Sequence, residues 1–226
     1  MGLAELLDIR PGVTAVTGGG GKTTLLRTLG EELAESGARV LLCATTKIFP
    51  FDGLPNLMDP TEEALGEALE ARRLVCAGTP VPGTGKLTAP GIPMARLIEL
   101  ADYVLAEADG AAGRPLKAHA PHEPVIPPEA NQTILVAGAS GFGRPIREAA
   151  HRPALYAQLA NVPEDAPASP ETEAAVLLAE SLPDRVLVNQ AERPEDRARA
   201  AALAALLPCP VLAGSLMRKE CFPCWS

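Results

Sequence analysis

Aromatic residues are scarce in this 226-residue chain, at 3%, although 47% of its residues are hydrophobic. A core with so few rings must be built mostly from leucine, valine and alanine side chains. Basic residues are also outnumbered, since 20 lysines and arginines stand against 28 aspartates and glutamates, for a formal net charge of −8. No strongly basic face is therefore expected, and nucleic acid is not predicted as a partner.

Long apolar segments are missing as well. The sequence has no apolar run of the roughly 18 residues that a membrane span needs, so no membrane partner is predicted. Residues 1–10 have an acidic centre and no basic region, which is not typical of a signal peptide, so a cytoplasmic location is expected. The length of the chain predicts a single domain over residues 1–226.

A glycine-rich loop is the most distinctive feature that the chain does have. It lies between a predicted strand, Val13–Thr17, and a predicted helix that continues from Leu25 to about Ser36. This order is typical of a phosphate-binding loop, in which backbone N–H groups surround an anion. The lysine is predicted to neutralise the β- and γ-phosphates, and the first threonine to bind Mg²⁺. The residues concerned are Gly18, Gly19, Gly20, Gly21, Lys22, Thr23 and Thr24.

The loop departs from the standard G-x-x-x-x-G-K-[ST] pattern, because Val16 stands at its first glycine. It is closer to G-K-G-G-x-G-K-[ST]-[ST], the variant of dimeric ATPases and GTPases related to nitrogenase iron protein and the signal-recognition GTPases. The early lysine of that variant often reaches across a dimer, and this chain has Thr17 there. A lysine acting across a dimer is therefore not supported, while a homodimer stays an open expectation. A glycine turn with an accidental lysine is the alternative interpretation.

Acidic residues follow a second predicted strand, Tyr103–Ala106, in the order Glu107-Ala108-Asp109-Gly110. A carboxylate at the end of an apolar strand is typical of the magnesium side of a phosphate-binding loop protein. The sequence leaves open whether Glu107 or Asp109 lies nearer the metal. The pattern also resembles the D-x-x-G of GTPases, in which the amide corresponding to Gly110 senses the γ-phosphate. An acidic turn is the alternative.

The unbroken apolar run Arg39–Ala44 predicts a strand buried on both faces of a parallel sheet. Ligands of such sheets bind at the carboxyl ends of the strands. Thr45, Thr46 and Lys47 follow this strand and are therefore predicted to lie near the phosphates. An ordinary polar exit from a strand is the alternative interpretation.

Two segments rich in glycine and proline, 78–93 and 111–128, are predicted to form the substrate side of the domain. The first is expected to be a loop or an irregular hairpin. In the second, Arg114 and Lys117 are candidates for neutralising a phosphate or an anionic substrate, and Lys117 is a candidate catalytic residue. The same segment could form an acceptor pocket.

The predicted strand Arg185–Val188 ends in Asn189-Gln190-Ala191-Glu192. This tetrad resembles the N-K-x-D sequence that recognises guanine, in which asparagine binds the base edge and the acid accepts hydrogen bonds from it. Asn189 and Glu192 are therefore candidate nucleotide-binding residues, and a plain strand exit is the alternative. Ser169 and Pro170 predict the start of a helix that continues to Leu182.

The C-terminal tail, 216–226, contains Cys221 and Cys224 in a C-x-x-C pattern. Such a pair is a candidate metal half-site or redox pair. Two ligands do not complete a zinc site, so a partner or a second copy would have to supply the others.

These residues together resemble the selenium-dependent molybdenum hydroxylase accessory proteins, the YqeC family. The resemblance extends in order from about Val13 to Glu192, where the family usually has aspartate. It rests on Gly18 to Thr24, Thr45 to Ile48, Glu107 to Gly110, Gly113 to Lys117, His122 to Pro127, His151 to Pro153, and Asn189-Gln190.

The resemblance implies a bacterial cytosolic nucleotide-binding protein that acts in the maturation of selenium-containing molybdenum enzymes. The partner would be such a hydroxylase or its cofactor. The expected fold is a three-layer α/β fold of the P-loop NTPase type, with a mostly parallel central sheet of about seven strands. The expected activity is Mg²⁺-dependent hydrolysis of ATP or GTP. A small-molecule kinase and a nucleotide-switched carrier of a metal or selenium species are the alternatives.

Overall fold

The structure is a computed structural model that describes residues 1–180 and 183–224. Its strands are β1 (Gly12–Gly18), β2 (Val40–Ala44), β3 (Asn56–Met58), β4 (Leu74–Val81), β5 (Lys86–Thr88), β6 (Tyr103–Glu107), β7 (Leu116–Lys117), β8 (Ala130–Gly138), β9 (Ala150–His151), β10 (Arg185–Asn189), β11 (Val211–Ser215) and β12 (Glu220–Pro223). Its α-helices are α1 (Leu3–Leu6), α2 (Lys22–Glu35), α3 (Glu62–Arg72), α4 (Met94–Leu100), α5 (Ile146–Ala149), α6 (Pro153–Ala160), α7 (Pro170–Ala179) and α8 (Pro194–Ala204).

The contacts of the backbone divide the chain into two compact units, each made of several stretches of sequence. The first unit contains Met1–Val16, Thr23–Asp109 and Val125–Thr133. The second contains Thr17–Lys22, Gly110–Pro124 and the chain from Ile134 onward. The single domain expected over residues 1–226 stays a prediction.

The sheet of the first unit is parallel in the order β1-β6-β2-β4-β3. Every residue of β2 is buried, which is the pattern of a strand covered on both faces. The register pairs Glu107, the last residue of β6, with Val16 on one side and Ala44 on the other. The fold thus brings the acidic end of β6 between two buried strands.

Leucines of α3 and α4 cover one face of this first sheet and belong to one apolar cluster with Val13, Leu41 and Val104. Local signals explain these helices. The Thr61 hydroxyl accepts a hydrogen bond from the Ala64 amide at the start of α3. Beyond the end of α2, Gly37 has a φ of +95°, the left-handed conformation with which glycine commonly ends a helix.

The second unit has a sheet in the order β8-β10-β11-β12, in which only the last strand is antiparallel. The two short strands β7 and β9 form a separate parallel pair. Val136 and Val188 are fully buried, as expected from their apolar runs. A second apolar cluster joins these strands to α6, α7 and α8 through residues such as Tyr156, Leu177 and Leu203.

The expected kind of fold is confirmed: it is α/β with a mostly parallel sheet. The number of strands was underestimated. The described residues of the two units contribute ten strands to this mostly parallel sheet structure, whereas about seven were expected. The additional strands are short pieces in proline-containing segments, namely β3, β5 and β12. Their length of 3 or 4 residues leaves no recognisable alternation.

Of the two interpretations of segment 78–93, the hairpin is correct. The strand β4 extends to Val81 and pairs in antiparallel fashion with β5. Gly83 and Gly85 in the turn have φ values of +73° and +67°, which only glycine adopts without strain. Helix α7 begins at Pro170 as predicted, with a capping box from Ser169. Its predicted end at Leu182 lies outside the described residues.

None of the helices in the described parts of the chain is both long and apolar enough to cross a bilayer.

A buried acid lies in the core of the second unit. The Tyr156 hydroxyl donates a hydrogen bond of 2.8 Å to Glu173 Oε2, and both side chains are almost inaccessible to solvent. Burial raises the pKa of Glu173 to about 7, and the hydrogen bond from Tyr156 opposes this rise. The carboxyl group therefore titrates near neutral pH inside the folded protein.

Glu173→Gln should make the free energy of unfolding less dependent on pH. In the folded wild type Glu173 retains its proton above the ordinary pKa of 4.5, so stability should fall by about 3 kcal/mol as pH rises through this range to about 7. The variant should lack this fall in denaturant titrations at pH 5 and 8. Glu171→Gln, on the same helix, is the control, since the hydrogen bond from Ser169 lowers the pKa of Glu171. Equal slopes in wild type and Glu173→Gln would contradict the assignment.

Candidate functional site

The glycine loop of the second unit lies directly against other backbone. Gly18, Gly20 and Gly21 have φ values of +91°, +62° and +113°. A Cβ atom on Gly20 would lie 2.4 Å from the Gly138 amide nitrogen, and one on Gly19 would lie 2.5 Å from the Pro115 carbonyl oxygen. Gly20 therefore excludes a side chain by both conformation and space, and Gly19 excludes one by space alone.

Lys22 and Asn189 both bind carbonyl groups of this loop. The Lys22 ammonium donates a hydrogen bond of 2.6 Å to the Gly18 carbonyl, and its side chain is 5% exposed. The Asn189 side-chain amide donates at 2.7 Å to the Gly20 carbonyl, while its oxygen accepts from the Leu216 amide at 3.0 Å. These bonds turn carbonyl oxygens of the loop toward cationic and amide donors.

The predicted base-recognition tetrad begins at Asn189, the last residue of β10. Gln190 has a φ of +63°, and its side-chain oxygen accepts a hydrogen bond of 2.5 Å from the Ser140 hydroxyl. Glu192 is half-buried between β10 and α8. In this structure Asn189 uses its amide to join two backbone segments, and its role in base recognition stays a prediction.

The segment after Gly110 is anchored by buried charge in the second unit. The Lys117 side chain is fully buried, and its ammonium donates to the Gly110 carbonyl at 2.5 Å and to Glu123 Oε2 at 2.6 Å. Arg152 donates to the same carboxylate oxygen at 2.7 Å. Burial would raise the pKa of Glu123, but the hydrogen bonds from Arg152 and Lys117 lower it to about 2.

Lys117 therefore neutralises a carboxylate of its own chain, whereas the sequence suggested a phosphate or an anionic substrate. Arg114 is exposed and donates a hydrogen bond to the Glu148 carbonyl. Its own carbonyl accepts from the Gly20 amide at 3.4 Å, so the predicted anion-binding residue contacts the glycine loop through its backbone.

In the first unit the structure brings Thr23 and Glu107 together. The exposed Thr23 hydroxyl donates a hydrogen bond of 3.0 Å to Glu107 Oε2. The carboxylate belongs to a side chain that is 7% exposed, at the end of β6. A hydroxyl and a carboxylate in contact at the start of a helix provide two of the oxygen ligands that Mg²⁺ prefers.

The other acid, Asp109, is completely buried in the first unit. The sequence left the choice of metal ligand open, and the structure places Glu107 in contact with the predicted partner Thr23. Gly110 is exposed, and a Cβ atom there would have no atom within 4 Å. Thr24 lies in the first turn of α2, where its carbonyl accepts from Thr28 at 2.9 Å.

The residues after β2 lie next to the end of β6. The Thr45 amide donates to the Glu107 carbonyl at 3.0 Å, and its hydroxyl donates to the Val125 carbonyl at 2.6 Å. The Thr46 hydroxyl oxygen is buried and has no hydrogen-bond partner among the described residues. Lys47 is exposed. The predicted group of two threonines and a lysine is thus adjacent to Glu107.

The two cysteines of the C-x-x-C pair have different surroundings, and their role as a half-site stays a prediction. Cys221 is paired with Gly214 in the ladder between β11 and β12, and its sulfur lies on the side where a Gly214 Cβ would be. Cys224 packs with Phe222 against the apolar cluster of the second unit, on the opposite face of the strand. Within residues 1–180 and 183–224 no group of three metal-binding side chains was found. Trp225 and Ser226 of the predicted tail lie outside the described residues.

Sequence reasoning missed Glu123 as the partner of Lys117, Arg152 as the second cation on that carboxylate, and Gly138 as a neighbour of the loop. Arg152 is 29 residues from Glu123 in sequence, so nothing local connects them. Gly138 had a weak signal, since it follows directly after the apolar part of a strand.

A mostly parallel α/β fold, with a glycine loop between its first strand and a helix that starts at Lys22, is the fold of the P-loop NTPases. A crystal structure of FtsY from Mycoplasma mycoides is similar in fold, with a TM-score of 0.50 and 12% sequence identity. The match covers 96% of this chain and 65% of that one.

The chain belongs to the YqeC family. The family model described as YqeC protein matches residues 14–154. The protein YqeC of Escherichia coli (strain K12) is 36% identical over 163 residues, which cover 70% of this chain. The matched region is 64% of that relative's length, so the chain spans less than two thirds of the relative it matches. The family expected from the motifs is confirmed.

Gly20→Ala should be more damaging than Gly37→Ala, although both residues have positive φ values, +62° and +95°. A Cβ atom at Gly20 would meet backbone at 2.4 Å, whereas one at Gly37 would have nothing within 4 Å. Gly37→Ala should cost about 1 kcal/mol through conformation alone. Gly20→Ala should cost at least about 2 kcal/mol, because backbone cannot easily move away. Urea unfolding of both variants tests this, and equal losses would show that the close approach at Gly20 has no energetic weight.

Proposed function

We propose that this protein binds ATP or GTP with Mg²⁺ and hydrolyses the nucleotide. The observation that carries the proposal is the contact between the Thr23 hydroxyl and the Glu107 carboxylate at 3.0 Å. Both groups were predicted as magnesium ligands from separate parts of the sequence. Their contact at the end of a buried parallel strand is the arrangement that magnesium-dependent phosphoryl chemistry requires.

The glycine loop supports the phosphate part of the proposal. Its positive φ values at Gly18, Gly20 and Gly21 allow successive amides to turn toward one side, which is how a loop surrounds an anion. Lys22 directly precedes Thr23, so the residue that would neutralise the phosphates and the residue that would hold the metal are neighbours in the chain. Lys22 now binds the Gly18 carbonyl, and a bound triphosphate would compete for this ammonium.

Magnesium fits the residues present, since Thr23 and Glu107 offer a neutral and an anionic oxygen. When bound, the ion would neutralise charge on the β- and γ-phosphates. Glu107 orients the Thr23 hydroxyl by accepting a hydrogen bond from it. Thr45 fixes the backbone of Glu107 by donating to its carbonyl.

The family resemblance supports a more specific role for this nucleotide chemistry. Under this proposal hydrolysis accompanies the maturation of selenium-dependent molybdenum hydroxylases, and the partner is such an enzyme or its cofactor. A kinase with an acceptor pocket in residues 111–128 receives less support, because Lys117 is already paired with Glu123 in that segment. A metal carrier that uses the C-x-x-C pair receives less support too, because Cys221 lies against Gly214 whereas Cys224 packs against the apolar cluster of the second unit.

Thermal unfolding with nucleotides tests binding and the magnesium site together. ATP or GTP with Mg²⁺ should raise the melting temperature, because a ligand of the folded state stabilises it, by about 2.7 kcal/mol at a hundredfold excess over Kd. Glu107→Gln should lose the part of this shift that depends on Mg²⁺ and keep the part seen with EDTA. Glu129→Gln, an exposed acid of the same unit, should behave as wild type. If neither triphosphate shifts the melting temperature of the wild type, the proposal is wrong.

Lys22→Ala should abolish nucleotide turnover, measured as phosphate release without any acceptor. The loss should be at least about a hundredfold, since one positioned cation contributes several kcal/mol to phosphoryl transfer. Lys219→Ala removes a lysine outside the loop and should retain full activity. Turnover in Lys22→Ala at the rate of the wild type would exclude the assigned role.

A further inference from the structure

A small ladder in the first unit presents an unusual outer face. Ile48 and Leu87 form an antiparallel bridge and exchange both backbone hydrogen bonds, at 2.9 and 2.8 Å. Their side chains are 3% and 1% exposed, so both face the core. Side chains alternate along extended backbone, and the residues on either side of this pair must therefore point outward.

The outward residues are basic, aromatic and hydroxylic. Phe49 and Lys86 lie next to each other across the ladder, and the Lys86 ammonium is 4.7 Å from the centre of the Phe49 ring. Lys47 and Thr88 occupy the corresponding positions on the other side of the bridge. The chain has only 4 phenylalanines, and one of them, Phe49, is 58% exposed instead of packing in the core. We call Lys47, Phe49, Lys86 and Thr88 the ladder face.

Positive charge on the ladder face is notable in a chain with a net charge of −8. The lysines of the sequence are Lys22, Lys47, Lys86, Lys117 and Lys219. Lys22 and Lys117 are buried and bind groups of their own chain. Neither lysine of the ladder face forms an ion pair with a carboxylate in the described parts of the chain. The face therefore combines an exposed ring with two lysines that have no carboxylate partner in the described parts of the chain.

We propose that the ladder face binds a second ligand, a planar heteroaromatic compound that carries a phosphate group. The ring of such a ligand would stack on Phe49, as bases stack on exposed aromatic side chains. Its phosphate would bind Lys47 and Lys86 through charge-assisted hydrogen bonds. Neither cation alone would select a planar ligand, and Phe49 alone would not select an anionic one.

The chain connects this face to the proposed metal site within the same unit. Lys47 comes two residues after Thr45, whose amide binds the Glu107 carbonyl at 3.0 Å. The ladder face thus begins where β2 ends, at the strand end that carries the predicted phosphate chemistry. The proposal does not require nucleotide binding at the glycine loop, and the two can be tested separately.

Flavin mononucleotide is a suitable probe, because it is a fluorescent heteroaromatic phosphate, and riboflavin is the same ring without phosphate. Fluorescence anisotropy should show that the full chain binds flavin mononucleotide and binds riboflavin at least about tenfold more weakly. Phe49→Ala and Lys47→Gln should each weaken the binding of flavin mononucleotide about tenfold. Met58→Ala is the matched control, since Met58 is an apolar residue of the same unit, is 49% exposed and lies outside the ladder face. Unchanged melting temperatures would show that these exposed positions do not affect folding.

Lys22→Ala separates this site from the nucleotide loop. The variant should bind flavin mononucleotide like the wild type, even if it no longer binds ATP or GTP. Loss of the probe in Lys22→Ala but not in Phe49→Ala would place the probe at the loop and overturn the proposal. Displacement of the probe by ATP or GTP in the wild type but not in Lys22→Ala would show that the face holds the base of the loop-bound nucleotide, which also overturns a second ligand. The proposal would also be overturned if flavin mononucleotide did not bind, or if riboflavin bound equally well.

Discussion

Close contact between backbone and backbone sets the form of the glycine loop. Gly19 and Gly20 approach the carbonyl of Pro115 and the amide of Gly138 so closely that a Cβ atom would overlap them. Such contacts exclude side chains on one side of the loop and leave the other side for donors. The identity of the loop residues therefore follows from packing as well as from any ligand. The close approach of Gly19 to Pro115 also links the loop to the segment after Gly110. The buried Lys117 ammonium anchors that segment.

Buried charge in the second unit is neutralised locally. Lys117 and Arg152 share one carboxylate, Glu123, whose pKa they hold at about 2. Glu173 is treated differently, because burial raises its pKa to about 7 and a tyrosine hydroxyl binds it. Two carboxyl groups of one unit thus have opposite protonation behaviour, because one has cationic partners and the other has a neutral one.

Much of this arrangement follows from short sequence patterns. The apolar run of β2, the acid after β6 and the glycine loop each depend on neighbouring residues, and the fold was predictable from them. The rule that parallel strands end at one edge predicted that an acid after β6 would lie near Thr23. The contact in the structure then identified that acid as Glu107. The ion pair of Lys117 with Glu123, and the second cation Arg152 on the same carboxylate, were not predicted, because Arg152 is 29 residues from Glu123 in sequence. The faces of Cys221 and Cys224 depend on the register of β12, a short strand that no alternation reveals.

The single side-chain amide of Asn189 forms two hydrogen bonds to backbone. Its nitrogen holds the Gly20 carbonyl, and its oxygen holds the Leu216 amide just beyond β11. One short side chain therefore fixes the distance between two backbone segments that are far apart in sequence. If either piece shifts by more than a few tenths of an ångström, the other loses a hydrogen bond from a group that is shielded from water. The turn between β11 and β12 is consequently tied to the glycine loop through this one side chain.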